Sequence, residues 1–290
     1  MSGAVNIAEA KGFFLDNGIN GKVKAFRKGN IGFRKYLANQ TDLSTTGVVS
    51  LVMTDFDLSK HKIIGTLSYT DNQTKLLARK SAGISDIIDL RGKKIATVRS
   101  TVAHFYLCKL LVLNGISCND VELVFMNKKQ LPHAIASGDV DAVCQHGMPI
   151  EKSKELLKDD WVLFRDALIH RKTIFLIAPV KWLENSPGEV KAVLKSILKA
   201  EDFIQENPDE SIRILAKAKN YPFNAMRDTV RNEIEYHLSL KQSIYMSLET
   251  VEQWAIDNQL VKRDKPRNYM DFIDYGPLEV LAPERVTIIR

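Results

Sequence analysis

The spacing of apolar positions along the chain switches repeatedly between helical and strand periods. Val5, Ile7, Ala8 and Phe13 recur at helical intervals before the breaks at Lys11-Gly12 and Asp16-Asn17-Gly18. Val23-Lys24-Ala25-Phe26 alternates as a strand and Ile31 to Ala38 reads as a helix. Thr41 to Gly47 predicts a short strand ending in a polar turn, before a helix that opens at Val48. His61 to Tyr69 and Thr74 to Arg79 predict strands around a turn at Asp71-Asn72-Gln73, which puts Tyr69 at a strand end. Ile95-Ala96-Thr97-Val98 is short and apolar enough to be a strand buried on both faces. At Arg99-Ser100-Thr101 the period changes: Phe105, Leu107, Leu110, Leu111 and Leu113 recur as in a helix, with Ser100 or Thr101 as its cap and Gly115 as its stop.

Downstream, Val121 to Phe125 predicts a strand and Gln130 to Ser137 a helix. Gly138 to Cys144 leads into another strand that stops at Gln145-His146-Gly147-Met148-Pro149. Lys152 to Leu157 and Trp161 to Phe164 continue the pattern, and Ile174 to Ala178 is an apolar strand that returns the chain to its first part. Pro187 opens a helix to about Glu206, and from Asn207 to Leu260 the text is nearly all helical in period. Alternation of this kind predicts an α/β fold of mostly parallel sheets with helices on both faces, whose ligands sit beyond the carboxyl ends of strands. Three strand-to-helix corners are therefore candidates: Ser44-Thr45-Thr46, Ser100-Thr101, and the stop at Gln145 to Pro149. At each, first-turn N–H groups and the helix dipole favour an anion or polar oxygens. Most helix caps bind nothing, so a single corner is weak evidence.

Composition narrows the classes. The 290 residues are 45% hydrophobic and 26% charged, enough for a sizeable core and two lobes. An excess of 41 basic over 35 acidic residues gives +6, but the charges are interleaved, with no basic block and no nucleic-acid motif. No apolar run is long enough to span a membrane. Cys108, Cys118 and Cys144 lack metal-ligand spacing, and neither a Ser/His/Asp order nor a glycine-rich phosphate loop occurs, so neither a metal nor a cofactor is expected. His104 and His146, near two of the corners, invite a catalytic reading, but a lone histidine is more often a polar neighbour than a base. Arg99 is a bidentate anion contact or a surface charge, the run His170-Arg171-Lys172 an anion contact or a solvated basic loop, and Tyr69 a stacking platform or a core cover.

Three phrases occur in order: Ala8-Glu9-Ala10-Lys11-Gly12-Phe13-Phe14 with Asp16-Asn17-Gly18, Asp89-Leu90-Arg91-Gly92-Lys93-Lys94, and Ser137-Gly138-Asp139-Val140-Asp141-Ala142. Together they resemble the type II solute-binding proteins of ABC transporters, in the nitrate, sulfonate, taurine and thiamine-precursor group, over nearly the whole chain. The resemblance implies two lobes, 1–80 plus 178–290 and 81–177, with a ligand cleft between them that closes on a hinge. It carries binding roles to Ser44, Thr45, Thr46 and Gly47, to Ser100, Thr101, Val102 and Ala103, and to Gln145 through Pro149, including His146 and Met148. Arg99 departs from the small residue usual there. A monomeric, non-enzymatic receptor for a small anionic or heterocyclic solute is expected, exported to the periplasm or cell exterior and serving an ABC permease, with no nucleic-acid partner. In the resembling family a signal peptide and a first strand come before the first helix, where here only Met1-Ser2-Gly3-Ala4 stands, so an N-terminally trimmed or processed chain is expected. The alternatives are a pyrimidine-precursor synthase-like enzyme and the ligand-sensing domain of a membrane signalling protein.

Overall fold

Two compact units share the chain, Met1–Thr70 with Lys172–Arg290 forming one and Asp71–Arg171 the other. The computed structural model describes residues 2–26, 29–71, 73–167 and 169–289. Its first part holds α1 (Gly3–Ala10), α2 (Phe13–Asp16), α3 (Gly29–Leu37), β1 (Ser44–Gly47), α4 (Val48–Val52) and β2 (His61–Thr70). The second unit follows with β3 (Thr74–Ala78), β4 (Lys94–Thr97), α5 (Val102–Leu113), β5 (Glu122–Phe125), α6 (Leu131–Ser137), β6 (Ala142–His146), α7 (Met148–Leu157) and β7 (Val162–Phe164). The first unit resumes with β8 (Lys172–Pro179), α8 (Val180–Asn185), α9 (Pro187–Glu206), α10 (Pro208–Lys219), α11 (Phe223–Asn232), β9 (Glu235–Lys241), α12 (Ser243–Asp257), α13 (Gly276–Leu281) and β10 (Val286–Thr287).

In the second unit the sheet order is β5-β4-β6-β3-β7. β4 lies parallel to both β5 and β6, while β3 is antiparallel to β6 and β7. Successive strand residues go to opposite faces. Leu76, Ile95 and Cys144 pack with Tyr106, Leu107, Leu110 and Leu111 of α5. Their neighbours Leu77, Ala96 and Val143 pack with Leu131 and Ile135 of α6 and Ile150 and Leu157 of α7. Both faces of the sheet are thus covered, as the apolar runs Ile95-Ala96 and Ala142-Val143-Cys144 require.

The first unit's sheet runs β1-β8-β2-β9-β10. β8 lies antiparallel between β1 and β2, β9 is antiparallel to β2, and β10 is parallel to β9. A β-carbon at Gly65 would meet Leu238 Cδ1 at 2.6 Å, so any larger residue in β2 would make the Leu238 side chain of β9 shift. α9 turns Val190, Leu194 and Ile197 inward, and its buried Glu201 accepts the N–H of Leu238 at 2.6 Å and a hydrogen bond from Arg285 Nη1 at 2.7 Å.

Several expectations change. The sheets are mixed rather than mostly parallel, because the returning strand β8 inserts antiparallel between β1 and β2. Thr74–Ala78 does not pair with β2 as a hairpin partner; it bonds to β6 and β7 in the other sheet, which moves the unit boundaries to 70/71 and 171/172. Asn72, the centre of the expected turn, lies outside the described residues, as does Met1. Val23–Phe26 forms no strand: it is mostly exposed, and alternation without a neighbouring edge does not make a ladder. Glu235–Lys241 is a sheet strand inside a stretch that reads as helical; Tyr236, Leu238 and Leu240 alternate and are buried. Among the described residues no helix is long and apolar enough to cross a membrane.

Candidate functional site

In the second unit the chain goes from β4 through α5 to β5 on one side of β4, then through α6 to β6 on the other. After β4 the helix α5 packs on one face of the sheet, and after β6 the helix α7 packs on the opposite face. Adjacent parallel strands whose helices depart to opposite faces leave a crevice beyond their carboxyl ends. Here Val98–Thr101 and His146–Met148 line that point. Thr97 Oγ1 donates to the Cys144 carbonyl at 3.0 Å and ties the two strand ends together.

The turn before α5 is unusual in its backbone. Ser100 has φ +59°, in the left-handed region that costs a residue with a β-carbon roughly 1 kcal/mol or more. This geometry aims its N–H at His104 Nδ1, 3.4 Å away. Thr101 is the residue before the helix, yet its side chain makes no capping bond; its hydroxyl donates back to the Val98 carbonyl at 2.7 Å. The first turn of α5, at Val102 and Ala103, therefore takes no cap from the Thr101 side chain. Arg99 is exposed with its guanidinium 5.3 Å from the centre of the Phe125 ring, and His104 meets the same ring edge-to-face at 4.9 Å. At the neighbouring corner Gln145 is buried, and its Oε1 accepts the N–H of His146 at 3.1 Å. Gly147 takes φ +69° to start α7, and Met148 is half-exposed.

A family model matches residues 2–211, that of the NMT1/THI5-like proteins. The chain belongs to the NMT1/THI5-like family. A Brucella abortus protein named as a binding protein is 26% identical over 73% of this chain, which spans 66% of that relative's length. A Bacillus subtilis protein named for binding aliphatic sulfonates is 24% identical over 92% of this chain and 81% of its own. Among solved structures, the periplasmic aliphatic sulphonate binding protein of Escherichia coli superposes with a TM-score of 0.78 at 17% identity, covering 91% of this chain and 86% of the other. A desulfurization enzyme superposes with a TM-score of 0.68 at 16% identity, covering 97% and 96%. Likenesses this remote in sequence show the fold alone, which is the two-lobed periplasmic-binding-protein fold.

In the first unit of this NMT1/THI5-like chain, β1 carries the predicted Ser44–Gly47. Thr45 Oγ1 is 2.9 Å from Ser2 Oγ, so one predicted hydroxyl is already engaged. Thr46 is 1% exposed and its Oγ1 has no hydrogen-bond partner among the described residues. Strand register places Thr46, Phe175, Thr66 and Ser239 in one row across β1, β8, β2 and β9. Thr66 Oγ1 is likewise buried without a partner among the described residues. α4 has five residues and follows an extended Gly47, so this corner depends on hydroxyls more than on a helix dipole. Tyr69 is buried, with its hydroxyl 2.6 Å from Ser239 Oγ and the Lys241 ammonium 5.1 Å from its ring centre. It is a core cover rather than an open stacking platform. Arg171 sits at the end of the second unit in an ion pair with Asp71, Nε to Oδ1 3.3 Å, both about half-exposed.

Sequence reasoning missed Thr66 and Ser68, whereas Thr70 and Lys172 lie in stretches it does single out, the strand end at Tyr69-Thr70 and the basic run His170-Arg171-Lys172. Thr66, Ser68 and Thr70 of β2 are buried, and the signal was present as polar residues at every second position of Gly65-Thr66-Leu67-Ser68-Tyr69-Thr70. Lys172 opens β8 opposite Thr70; burial pushes its ammonium down to about 8, against the opposing pull of Glu233. Phe125 reads from sequence only as the end of a strand, though its ring meets both Arg99 and His104. Among the described residues no group of three His, Cys, Asp or Glu side chains could hold a metal ion.

His104 gives the second-unit corner a pH signature. Burial, and then the charge of Arg99, push its imidazole down to about 4. Because Nδ1 accepts the Ser100 N–H, the neutral ring carries its proton on Nε2. An unfolded chain protonates this histidine near 6.5, so below that pH the unfolded state binds the extra proton first. Stability from this group is complete above pH 6.5 and is lost as pH falls through 4, by at most about 3 kcal/mol. Melting curves from pH 7 to 4.5 should show that loss, and His104→Gln should flatten it. An equally steep curve in the variant would remove His104 as the cause.

Proposed function

We propose that this chain is an extracytoplasmic solute-binding protein that captures a small anion, with the sulfonate class the first candidate, and delivers it to an ABC permease. The observation that carries this reading is the switch point at β4 and β6, where the uncapped start of α5 adjoins a strained Ser100 and a second helix start at Gly147. N–H groups at such a point hold anionic oxygens, and a sulfonate offers several on one atom. Two relatives named for aliphatic sulfonates support that class, with nitrate, carboxylate and pyrimidine solutes as the next to try. Within this proposal Ser44 to Gly47 and Ser100 to Ala103 contact the solute, with Gln145, His146 and Met148 completing the set.

The test is a thermal-shift screen of alkanesulfonates, nitrate, small carboxylates and pyrimidines. A ligand at a hundred times its dissociation constant adds about 2.7 kcal/mol of stability. Absence of a shift with every member would sink the receptor reading. The proposal also has a monomer that closes its lobes on the solute. Small-angle scattering should then give a smaller radius of gyration at saturation, and an unchanged radius would count against closure.

A second reading, an enzyme, is kept because the desulfurization enzyme shares the fold. Turnover of biphenyl-2-sulfinic acid, the compound bound in a solved structure of that enzyme's mutant, at a rate lost in His104→Gln, would favour it over a receptor.

A further inference from the structure

The interleaving of charge along the chain breaks in one place. Between Asp16 and Asp42 stand Lys22, Lys24, Arg27, Lys28, Arg34 and Lys35, and no acidic residue. Of 41 basic and 35 acidic residues, removing these six leaves 35 of each sign, so the whole net charge of +6 resides in this stretch. On α3, Ile31, Arg34, Lys35 and Ala38 recur at helical spacing and all are exposed, while Phe33 and Tyr36 on the other side are buried. The segment 21–26 lies alongside: a β-carbon at Gly32 would meet the Phe26 ring at 3.1 Å, so that ring rests against α3. Lys22 and Lys24 are exposed on this segment, which Glu9 of α1 holds by accepting the Val23 N–H at 2.6 Å. Among the described residues Lys22, Lys24, Arg34 and Lys35 have no ion-pair partner, whereas Lys11, Lys199 and Arg231 of the same unit pair with Glu210, Asp16 and Asp209. Phe26 and Ile31 stand among these charges, 37% and 40% exposed.

We infer that this face docks on an anionic phospholipid surface, its cations against headgroup phosphates and Phe26 and Ile31 at the acyl boundary. The face is defined by Lys22, Lys24, Arg34 and Lys35; Arg27 and Lys28 lie outside the described residues. Unpaired cations interspersed with exposed apolar side chains are what an interfacial segment needs, since the charges draw it to the headgroups and the apolar groups then leave water. Three of the four cations are lysines, compact point charges on flexible stems that hold a phosphate without fixed geometry. Such a set suits a plane of mobile headgroups, whereas an acidic protein surface demands carboxylates at matched positions. Free phosphate would leave Phe26 and Ile31 in water. The attraction reaches about one Debye length, roughly 10 Å at 0.1 M salt, so docking is reversible and salt-dependent. Which membrane the protein meets rests on the extracytoplasmic reading above; binding of the purified chain to vesicles does not.

The experiment sediments the full chain with vesicles of phosphatidylcholine alone, or of phosphatidylcholine and phosphatidylglycerol in equal parts, at low salt and at roughly 1 M salt, where screening shortens to about 3 Å. At low salt the parent should bind the anionic vesicles at least roughly tenfold more tightly than the neutral ones, and high salt should release it. The quadruple variant Lys22→Gln, Lys24→Gln, Arg34→Gln, Lys35→Gln should lose roughly tenfold or more in that affinity. A second quadruple variant on α9 and α10, Lys191→Gln, Lys195→Gln, Arg213→Gln, Lys217→Gln, has the same net charge and should bind as the parent does. All eight positions are exposed, and melting curves check that each variant keeps the fold. Should the first variant melt early, the pair Lys22→Gln, Lys24→Gln in the exposed segment before α3 carries the test with a smaller loss. Equal binding to both kinds of vesicle, or an equal loss in the two quadruple variants, would overturn the inference. So would capture by immobilised polyglutamate with no binding to vesicles, which would make the partner an acidic protein.

Discussion

Thr46→Val is expected to weaken solute binding roughly five- to a hundredfold while the solute-free protein melts no lower than the parent. The two effects part because the Thr46 hydroxyl is buried without a partner among the described residues. A buried polar atom left unpaired costs about 1–3 kcal/mol, and valine removes that atom at nearly constant volume. A solute oxygen that relied on the hydroxyl loses its bond in the variant. Thr101→Val should behave in the opposite way, because the Thr101 hydroxyl already serves the Val98 carbonyl. Its loss is expected to lower stability by about 1 kcal/mol. Calorimetric titration with the solute found in the screen, run beside melting of both variants, separates the cases. Unchanged affinity in Thr46→Val would remove the β1 corner from the site.

Glu252→Gln should cost the fold more than any other change considered, roughly 3–5 kcal/mol, or on the order of 10 °C in melting temperature. Glu252 on α12 is fully buried and accepts hydrogen bonds from Arg263, Arg267 and Tyr269. Arg263 Nη2 also donates to the Val52 carbonyl at 2.5 Å, and Arg267 Nη1 to the Thr54 carbonyl at 3.3 Å. The cluster thus holds the carboxyl end of α4, whose amino end follows Gly47. Burial by itself would raise the Glu252 carboxyl, but the bonds from Arg263 and Tyr269 and the charge of Arg267 bring it below the usual range. A depressed carboxylate stabilises the fold above its unfolded pKa near 4.5, and that contribution fades as pH falls through the folded value. The penalty of Glu252→Gln should accordingly shrink in acid. A variant that melts within a degree or two of the parent at pH 7 would show that the arginines find other partners.

The polar corners illustrate how far local pattern reaches. The Ser100-Thr101 turn is legible because an apolar run of strand length meets apolar residues at helical spacing, and both periods are set by neighbours a few residues apart. The same reading names the wrong role for the Thr101 hydroxyl, since a cap and a bond back to Val98 use the same residue and differ only in backbone angles. It also misses β9, whose alternation at Tyr236, Leu238 and Leu240 is short and sits between long helices.

Sequence alone determined the α/β class, the strand-turn-helix corners, and most helices and strands before residue 207, because each follows from periods written within a dozen residues; α8, α13 and β10 are not among them. Tertiary structure alone decided which strands are neighbours. β8 enters between β1 and β2, β3 leaves β2 for β6 and β7, and Thr46 is brought into one row with Thr66 and Ser239. Edge hydrogen bonds are nearly the same for any pair of strands, so the choice among partners rests on side-chain packing between segments far apart in the chain, as where Leu238 packs over Gly65.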